Sequence, residues 1–149
     1  MAHLEFSRDF SVAPNEVFVF LVPQRMPLWY GTEMNSHFEV QGGASDFAVG
    51  QKVQITGKLG KREVSLTVVI TAYRWEKLLE WQFQDSYGVR GLQRWELENV
   101  PSGTRLCMRD SYQMPGLSGR FIDAAFTRFA VAQRDRTWLD RLQRLAERR

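Results

Sequence analysis

The C-terminal segment, residues 118–149, carries the pattern that most limits how this chain can fold. Its apolar residues recur at intervals of three, four or seven, which predicts one long amphipathic helix. These residues are Ile122, Ala125, Phe126, Phe129, Ala132, Leu139, Leu142 and Leu145. Ser118 suits an N-cap, and neither glycine nor proline follows Gly119. A single apolar stripe of this length requires an equally apolar surface to cover it.

The polar side of this predicted helix indicates whether the covering surface belongs to the same chain or to a membrane or another protein. Arginines such as Arg134 and Arg141 are mixed there with acids such as Asp135 and Asp140. A basic amphipathic helix can lie on a membrane or bind calmodulin, whereas a mixed polar face is typical of a helix packed within its own domain. We therefore expect the helix to pack on the chain's own sheet, and we keep membrane contact as the lesser alternative.

The residues before Pro115 predict seven strands and two short helices. Apolar and polar residues alternate in segments bounded by turns that contain glycine or proline. The predicted strands are 3–12, 37–41, 49–58, 61–75, 78–86, 90–99 and 104–114. Pro14 begins a short helix that Pro23 ends, and a second short helix covers 25–30 before Gly31.

Pairing the strands across these turns gives one apolar and one polar face, because residues directly opposite each other share a face. The predicted inner face consists of Val49, Gln51, Val53, Ile55, Val64, Leu66, Val68, Ile70, Ala72, Leu79, Trp81, Phe83, Asp85, Gly91, Gln93, Trp95, Leu97, Leu106, Met108, Asp110 and Tyr112. One predicted row joins Val49, Ile70, Phe83, Gln93 and Asp110, and the next joins Gln51, Val68, Asp85, Gly91 and Tyr112. One end of the inner face therefore gathers a polar cluster: Gln51, Asp85, Gln93, Asp110 and Tyr112.

The composition favours a single domain over 1–149 and argues against several classes of function. The net charge is +3, and the segment 118–149 alone holds eight arginines against four acids. This charge is too small and too local for a nucleic-acid surface, which needs a basic stripe on a recognition element. The single Cys107 fits a reducing compartment and the first residues show no signal-peptide pattern, so we expect a cytoplasmic protein. No apolar run approaches about 18 residues, so we expect no integral membrane association.

The sequence lacks the residue patterns that metal sites and nucleophilic catalysis usually need. His3 and His37 are the only histidines, and neither has a second ligand at metal-binding spacing. A nucleophilic cysteine needs an adjacent base, and no histidine is predicted beside Cys107. We therefore expect no metal site and no cofactor.

Three segments of the chain resemble a known superfamily. They are SVAPNEVFVFLVPQRMPLWYG at 11–31, GQKVQI at 50–55 and PSGTRLCMRDSYQM at 101–114. Together with the order of predicted elements, they resemble the START-like, birch-pollen-allergen-like superfamily (SRPBCC), and within it the polyketide cyclase/dehydrase-like branch. The resemblance covers nearly the whole chain. It implies an α+β helix-grip fold, in which a curved seven-stranded antiparallel sheet wraps around the long C-terminal helix and encloses a deep cavity.

The resemblance also implies a choice among three functions. Members of the superfamily bind lipids, sterols, polyketides or hormones, and some are cyclases. We expect first a protein that binds one apolar or aromatic small molecule, lipid or polyketide-like, in the internal cavity. The alternatives are a cyclase/aromatase-type enzyme that moves protons with Asp110, Tyr112 or Asp85, and a protein-interaction module, with a homodimer left open. No catalytic motif runs through the superfamily, so no catalytic residue is carried over.

The polar cluster is the sharpest candidate for a site, because buried carboxylates are costly unless they are paired or serve a ligand. We predict that Asp110, Tyr112 and Gln93 orient the polar group of the ligand while apolar side chains hold its body. The full set of predicted ligand-binding residues is Trp29, Tyr30, Val68, Ile70, Trp81, Phe83, Asp85, Gln93, Trp95, Met108, Asp110, Tyr112, Phe126 and Phe129. The alternative is a solvated strand end at which Arg8 pairs with Asp110.

Overall fold

The computed structural model of the chain describes residues 2–115 and 124–148, with the side chains of the C-terminal helix described from residue 130 onward. The strands are β1 (Ala2–Phe10), β2 (His37–Val40), β3 (Lys52–Leu59), β4 (Arg62–Arg74), β5 (Leu78–Asp85), β6 (Arg90–Val100) and β7 (Gly103–Gln113). They form one antiparallel sheet in the order β1-β7-β6-β5-β4-β3-β2. The helices are α1 (Pro14–Phe18), α2 (Ala124–Glu147) and short 3-10 helices at Met26–Leu28, Thr32–Met34 and Gln41–Gly43.

This architecture is the helix-grip fold that the sequence predicts. Each predicted strand is present with its ends shifted by at most a few residues, and the first short helix begins at Pro14. Helix α2 packs on the inner face of the sheet, where Leu139 and Leu142 are fully buried. The predicted helix start at Ser118 lies outside the described residues. Within the described part of the chain, no helix combines the length and hydropathy that crossing a membrane requires.

Polar contacts hold the C-terminal half of α2 along β1. Arg8 Nη1 donates a hydrogen bond to Asp140 Oδ1 at 2.6 Å. Glu147 Oε1 accepts the backbone N–H of Ser11 at 2.9 Å, just beyond the end of β1. The predicted alternative, in which Arg8 pairs with Asp110, is therefore wrong, because the Arg8 guanidinium is engaged by α2 instead.

The predicted faces of the sheet are right except at three positions, but the predicted registers of three hairpins are wrong. In β3–β4, β4–β5 and β5–β6 the observed pairing is displaced by two residues, so that Val68 lies opposite Phe83 and Phe83 lies opposite Gly91. The side-chain period of a strand is two, so this displacement keeps each side chain on its predicted face and moves it to another row. The pairing of Gln93 with Asp110 is confirmed.

Three predicted inner-face positions are wrong for local reasons. A β-bulge between Ile70 and Ala72 reverses the alternation in β4, so that Ala72 faces outward and Tyr73 takes the inner position. Val49 precedes β3 and is 65% exposed. Gln51 also precedes β3, and its Oε1 accepts a backbone N–H of the loop before it, so it does not join the polar cluster.

Aromatic side chains fill part of the space between the sheet and α2. Trp81 and Trp95 point inward and are fully buried, with ring centroids 4.9 Å apart. Trp29 packs edge-on against Trp95 at 5.9 Å, and Tyr30 lies 4.2 Å from the ring of Trp138 on α2. Such pairs contribute about 0.5–1.5 kcal/mol each beyond the area they bury. This cluster fills one side of the interior, and open space remains on the other side.

Gly91 is required by the close approach of β6 and β7. A Cβ at this position would collide with the backbone carbonyl of Ser111, which is held in the ladder between the two strands. We expect Gly91→Ala to lower the free energy of unfolding by about 1–3 kcal/mol or more, measured by urea denaturation. Arg90→Ala, at the exposed neighbouring position, is the control and should change it by less than about 0.5 kcal/mol. Equal stability of the Gly91 variant and the wild type would contradict the close approach.

Candidate functional site

A cavity of about 410 Å³ lies between α2 and the inner face of the sheet. This volume is within the range of about 300–1,000 Å³ that small-molecule sites occupy. Its walls are mostly apolar and include Val64, Leu66, Phe83, Met114 and Val131. Its inner end is polar and is formed by Tyr30, Gln93, Asp110, Tyr112 and Arg134. An apolar chamber that ends in a few converging polar groups has the form of a ligand site.

Gln93 is the centre of a buried hydrogen-bond network at the polar end. Its Oε1 accepts the hydroxyl proton of Tyr30 at 2.6 Å and the indole N–H of Trp81 at 2.9 Å. Its Nε2 points toward Asp110 Oδ2 at 3.5 Å. Burial raises the pKa of Tyr30 well above its usual value, and the nearby Arg134 opposes this only in part. The phenol therefore stays neutral and holds the amide of Gln93 in one orientation.

Arg134 of α2 joins two buried carboxyl groups at the same end. Its Nη2 donates to Asp110 Oδ2 at 3.1 Å and to Asp135 Oδ1 at 3.2 Å, and its Nε donates to Asp135 Oδ1 at 3.3 Å. Both aspartates have no accessible surface, whereas 35% of the Arg134 side chain remains accessible because it borders the cavity. Asp110 lines the cavity, and Asp135 lies behind it, away from the wall.

The Asp135 carboxyl group carries a proton at neutral pH because it is buried. Burial raises the pKa of Asp135, Arg134 opposes the rise, and a hydrogen bond with Asp110 adds to it, giving a pKa of about 9. If both groups were ionised, Asp110 Oδ1 and Asp135 Oδ2 would each be buried without a hydrogen-bond partner among the described residues. A proton on Asp135 lets it donate a hydrogen bond to Asp110 and removes one of two adjacent negative charges.

The mouth of the cavity is formed by the tips of two hairpins. Arg62 lies over the ring of Tyr87 at 4.5 Å, and the Tyr87 hydroxyl donates to the backbone carbonyl of Glu63 at 3.0 Å. Asp85 lines the mouth, where its Oδ1 accepts the backbone N–H groups of Tyr87 and Val89 at 2.8 and 2.9 Å. The Asp85 carboxylate therefore shapes the turn between β5 and β6.

The predicted ligand-binding residues whose side chains are described fall into two groups in the structure. Those that line the cavity are Tyr30, Phe83, Asp85, Gln93, Asp110 and Tyr112. Those that pack in the core behind its walls are Trp29, Val68, Ile70, Trp81, Trp95 and Met108. The side chains of Phe126 and Phe129 lie outside the described residues. The role of all these residues in ligand binding stays a prediction.

Sequence reasoning placed Phe126 and Phe129 of α2 at the site but missed the contribution of Arg134, Asp135 and Trp138. The sequence pattern predicts that Asp135 lies on the polar side of the helix, and it predicts no role for Arg134 or Trp138 in the cavity. The helical repeat does indicate that Asp135 faces inward. The apolar stripe has a gap between Ala132 and Leu139, and Asp135 occupies the position in this gap that lies on the same face of the helix. Trp138 also fixes the wall, because its Nε1 donates to Glu33 Oε2 at 2.9 Å.

Two other depressions are larger but lie outside the sheet. One, of about 620 Å³, covers outward-facing residues such as Thr67, Gln82 and Ser111. The other, of about 680 Å³, covers the exposed ends of β3 and β4. Both are open grooves, so they lack the enclosure that removes a small ligand from water.

The proton on Asp135 makes stability depend on pH. The folded pKa lies above the unfolded value of about 3.9, so the folded state binds more protons between these two values and stability falls as the pH rises through that window. Asp135→Asn keeps a hydrogen-bond donor at every pH. We expect this variant to lose up to about 1.4 kcal/mol per pH unit of that dependence, measured by urea unfolding between pH 5 and 9.

Asp140→Asn provides the matched control for this change. Asp140 lies on the same helix, and its side chain is 57% exposed. Its variant should keep the slope of the wild type. The proton on Asp135 at neutral pH is disproved if the Asp135 variant has the same slope as well.

Solved structures similar to this one share its fold at low sequence identity. Protein MLL2253 from Mesorhizobium loti is 18% identical, with a TM-score of 0.76 over 99% of this chain and 98% of that protein. Protein CV1439 from Chromobacterium violaceum is 15% identical, with a TM-score of 0.74 over 100% of both chains. DynU16, from the dynemicin biosynthetic locus, is 17% identical with a TM-score of 0.68, and the match covers 98% of this chain and 47% of DynU16.

Sequence comparison identifies the family. No curated protein matches the chain. The model of one family, described as "Polyketide cyclase / dehydrase and lipid transport", matches residues 1–147. This match agrees with the seven-stranded sheet, the C-terminal helix and the START-like (SRPBCC) resemblance of the sequence. The chain therefore belongs to the polyketide cyclase/dehydrase and lipid transport family.

Proposed function

We propose that this protein binds one apolar or aromatic small molecule, lipid or polyketide-like, in the cavity between the sheet and α2. The observation that carries the proposal is the partly enclosed chamber of about 410 Å³ with mostly apolar walls and one polar end. The family description, which names both lipid transport and polyketide chemistry, supports the same class of ligand. A cytoplasmic location and a homodimer stay predictions.

The chamber is suited to an apolar body with one polar group. Val64, Leu66 and Phe83 offer the body a surface without hydrogen-bonding side chains, so burial of the ligand is favourable by about 25 cal/mol per Å² of apolar area. The polar end is held in place before any ligand arrives, because Gln93 and Arg134 are fixed by the hydrogen bonds described above. A site that is organised in advance loses less entropy when it binds.

Filling the chamber should abolish binding. We expect Leu66→Trp to weaken the binding of N-phenyl-naphthylamine, an uncharged fluorescent aromatic probe, by about tenfold or more, because the indole occupies the space of the probe. The measurement is the fluorescence rise on titration with the probe.

Thr67→Trp is the matched control for this experiment. Thr67 is the next residue of β4 and points to the outer side of the sheet. Its variant should bind the probe as the wild type does. A wild-type protein that binds no probe, or a Leu66 variant that binds it equally well, rejects the cavity as the site.

Acid–base catalysis is the second candidate function, and one observation favours it. Asp110 faces the chamber beside Arg134, so a bound ligand meets a buried carboxyl group in a position to act as a general acid or base. DynU16 comes from a biosynthetic locus, which supports a role in biosynthesis for proteins of this fold. The matching reaction is dehydration of a β-hydroxy ketone: the α-carbon loses a proton, the hydroxyl leaves as water, and a conjugated double bond forms.

Dehydration of the aldol adduct of benzaldehyde and acetone tests this candidate. The conjugated enone is followed by its ultraviolet absorbance. If the candidate is right, Asp110→Asn lowers the protein-catalysed rate by about a hundredfold or more, whereas Asp140→Asn leaves it unchanged. A wild-type rate no faster than that of buffer contradicts catalysis of this reaction and leaves binding as the function.

A further inference from the structure

The positive charge at the polar end of the cavity is already compensated. Among the residues that the structure describes, Arg134 is the cation at this end, and its Nη2 lies 3.1 Å from Asp110 and 3.2 Å from Asp135. Both carboxyl groups are fully buried, so the attraction between the three groups is only weakly screened by water. A guanidinium that is held in this way is not available as a counter-ion for a ligand.

We infer that the cavity selects uncharged ligands whose polar end is a hydrogen-bond-accepting oxygen, such as a ketone or ester carbonyl, and that it rejects carboxylates and phosphates. This inference rests on the proposed function, because it specifies the ligand that the same cavity binds. It concerns the charge of the ligand, which neither the family nor the fold decides.

A donor for such an oxygen is present. The Nε and Nη2 atoms of Arg134 are used by the aspartates, whereas Nη1 has no acceptor among the residues that the structure describes. Arg134 borders the cavity, so the N–H groups of Nη1 are within reach of a ligand. A carbonyl oxygen accepts these hydrogen bonds and loses little hydration compared with an ion.

An anionic head group would add a negative charge to an end of the cavity where the positive charge of Arg134 is already balanced. Even with a proton on Asp135, Asp110 balances the charge of Arg134, and the Glu33 carboxylate lines the same cavity. Burying a further carboxylate without its own counter-ion is strongly unfavourable. A cationic head is also disfavoured, because the Arg134 guanidinium already occupies the face of Trp138 at 4.4 Å.

Two probes of the same size test the selection. Methyl naphthyl ketone and naphthoate share their ring system and differ in the charge of the polar end. By calorimetric titration at neutral pH, we expect the ketone to bind the wild-type protein about tenfold or more tightly than naphthoate. Asp110→Asn removes one negative charge and should raise the affinity for naphthoate relative to that for the ketone by about tenfold.

Asp140→Asn is the control, because it makes the same change of charge on α2 outside the cavity, and it should leave both affinities as in the wild type. If the Asp110 variant does not fold, Glu33→Gln removes another carboxylate that lines the cavity and is expected to shift the preference in the same direction. Equal affinity of the wild type for the two probes, or a preference that neither variant shifts, overturns the inference while leaving the cavity as a binding site. Binding of neither probe by any variant overturns the proposed function itself.

Discussion

A single α-helix cannot cover the inner face of a seven-stranded sheet. Strands lie about 4.8 Å apart, so seven strands span about 29 Å, whereas a helix with its side chains is about 10–12 Å across. The aromatic side chains around Tyr30, Trp81 and Trp95 fill part of the difference. The rest stays open beside Val131 and Arg134 as the cavity. The chamber is therefore a consequence of this architecture, and the side chains along its walls decide only how large it is and what it can hold.

The buried group of Arg134, Asp110 and Asp135 is expensive to keep in such an interior. Taking these side chains out of water costs several kcal/mol for each ion, and well-packed apolar residues in their place are often as stable or more so. The proton on Asp135 and the hydrogen bonds from Arg134 reduce the cost. Stability alone gives no reason for polar groups at this position, whereas a function that needs an oriented donor beside an apolar chamber does.

The sheet illustrates which structural information a strand sequence contains. Alternation along each strand predicts the faces correctly, because a pairing error of two residues does not move a side chain from one face to the other. The rows across the sheet depend on where each turn is centred. The predicted centres of three turns are wrong, and the predicted pairing at these turns is therefore displaced by two residues. The bulge after Ile70 breaks the alternation itself, and no residue type in β4 marks it in advance.

The sequence by itself determined the family, the order of elements and the inward orientation of Trp81, Gln93, Trp95 and Asp110, because hydrophobic periodicity and turn residues act locally along the chain. Only the tertiary structure decided which of the inward side chains border empty space and which fill the core. It also decided that Asp110 meets Arg134 and Asp135 rather than Arg8. The physical reason is that these contacts depend on how α2 is rotated and placed on the sheet, and residues 24 or more positions apart in the chain carry no local signal of their pairing.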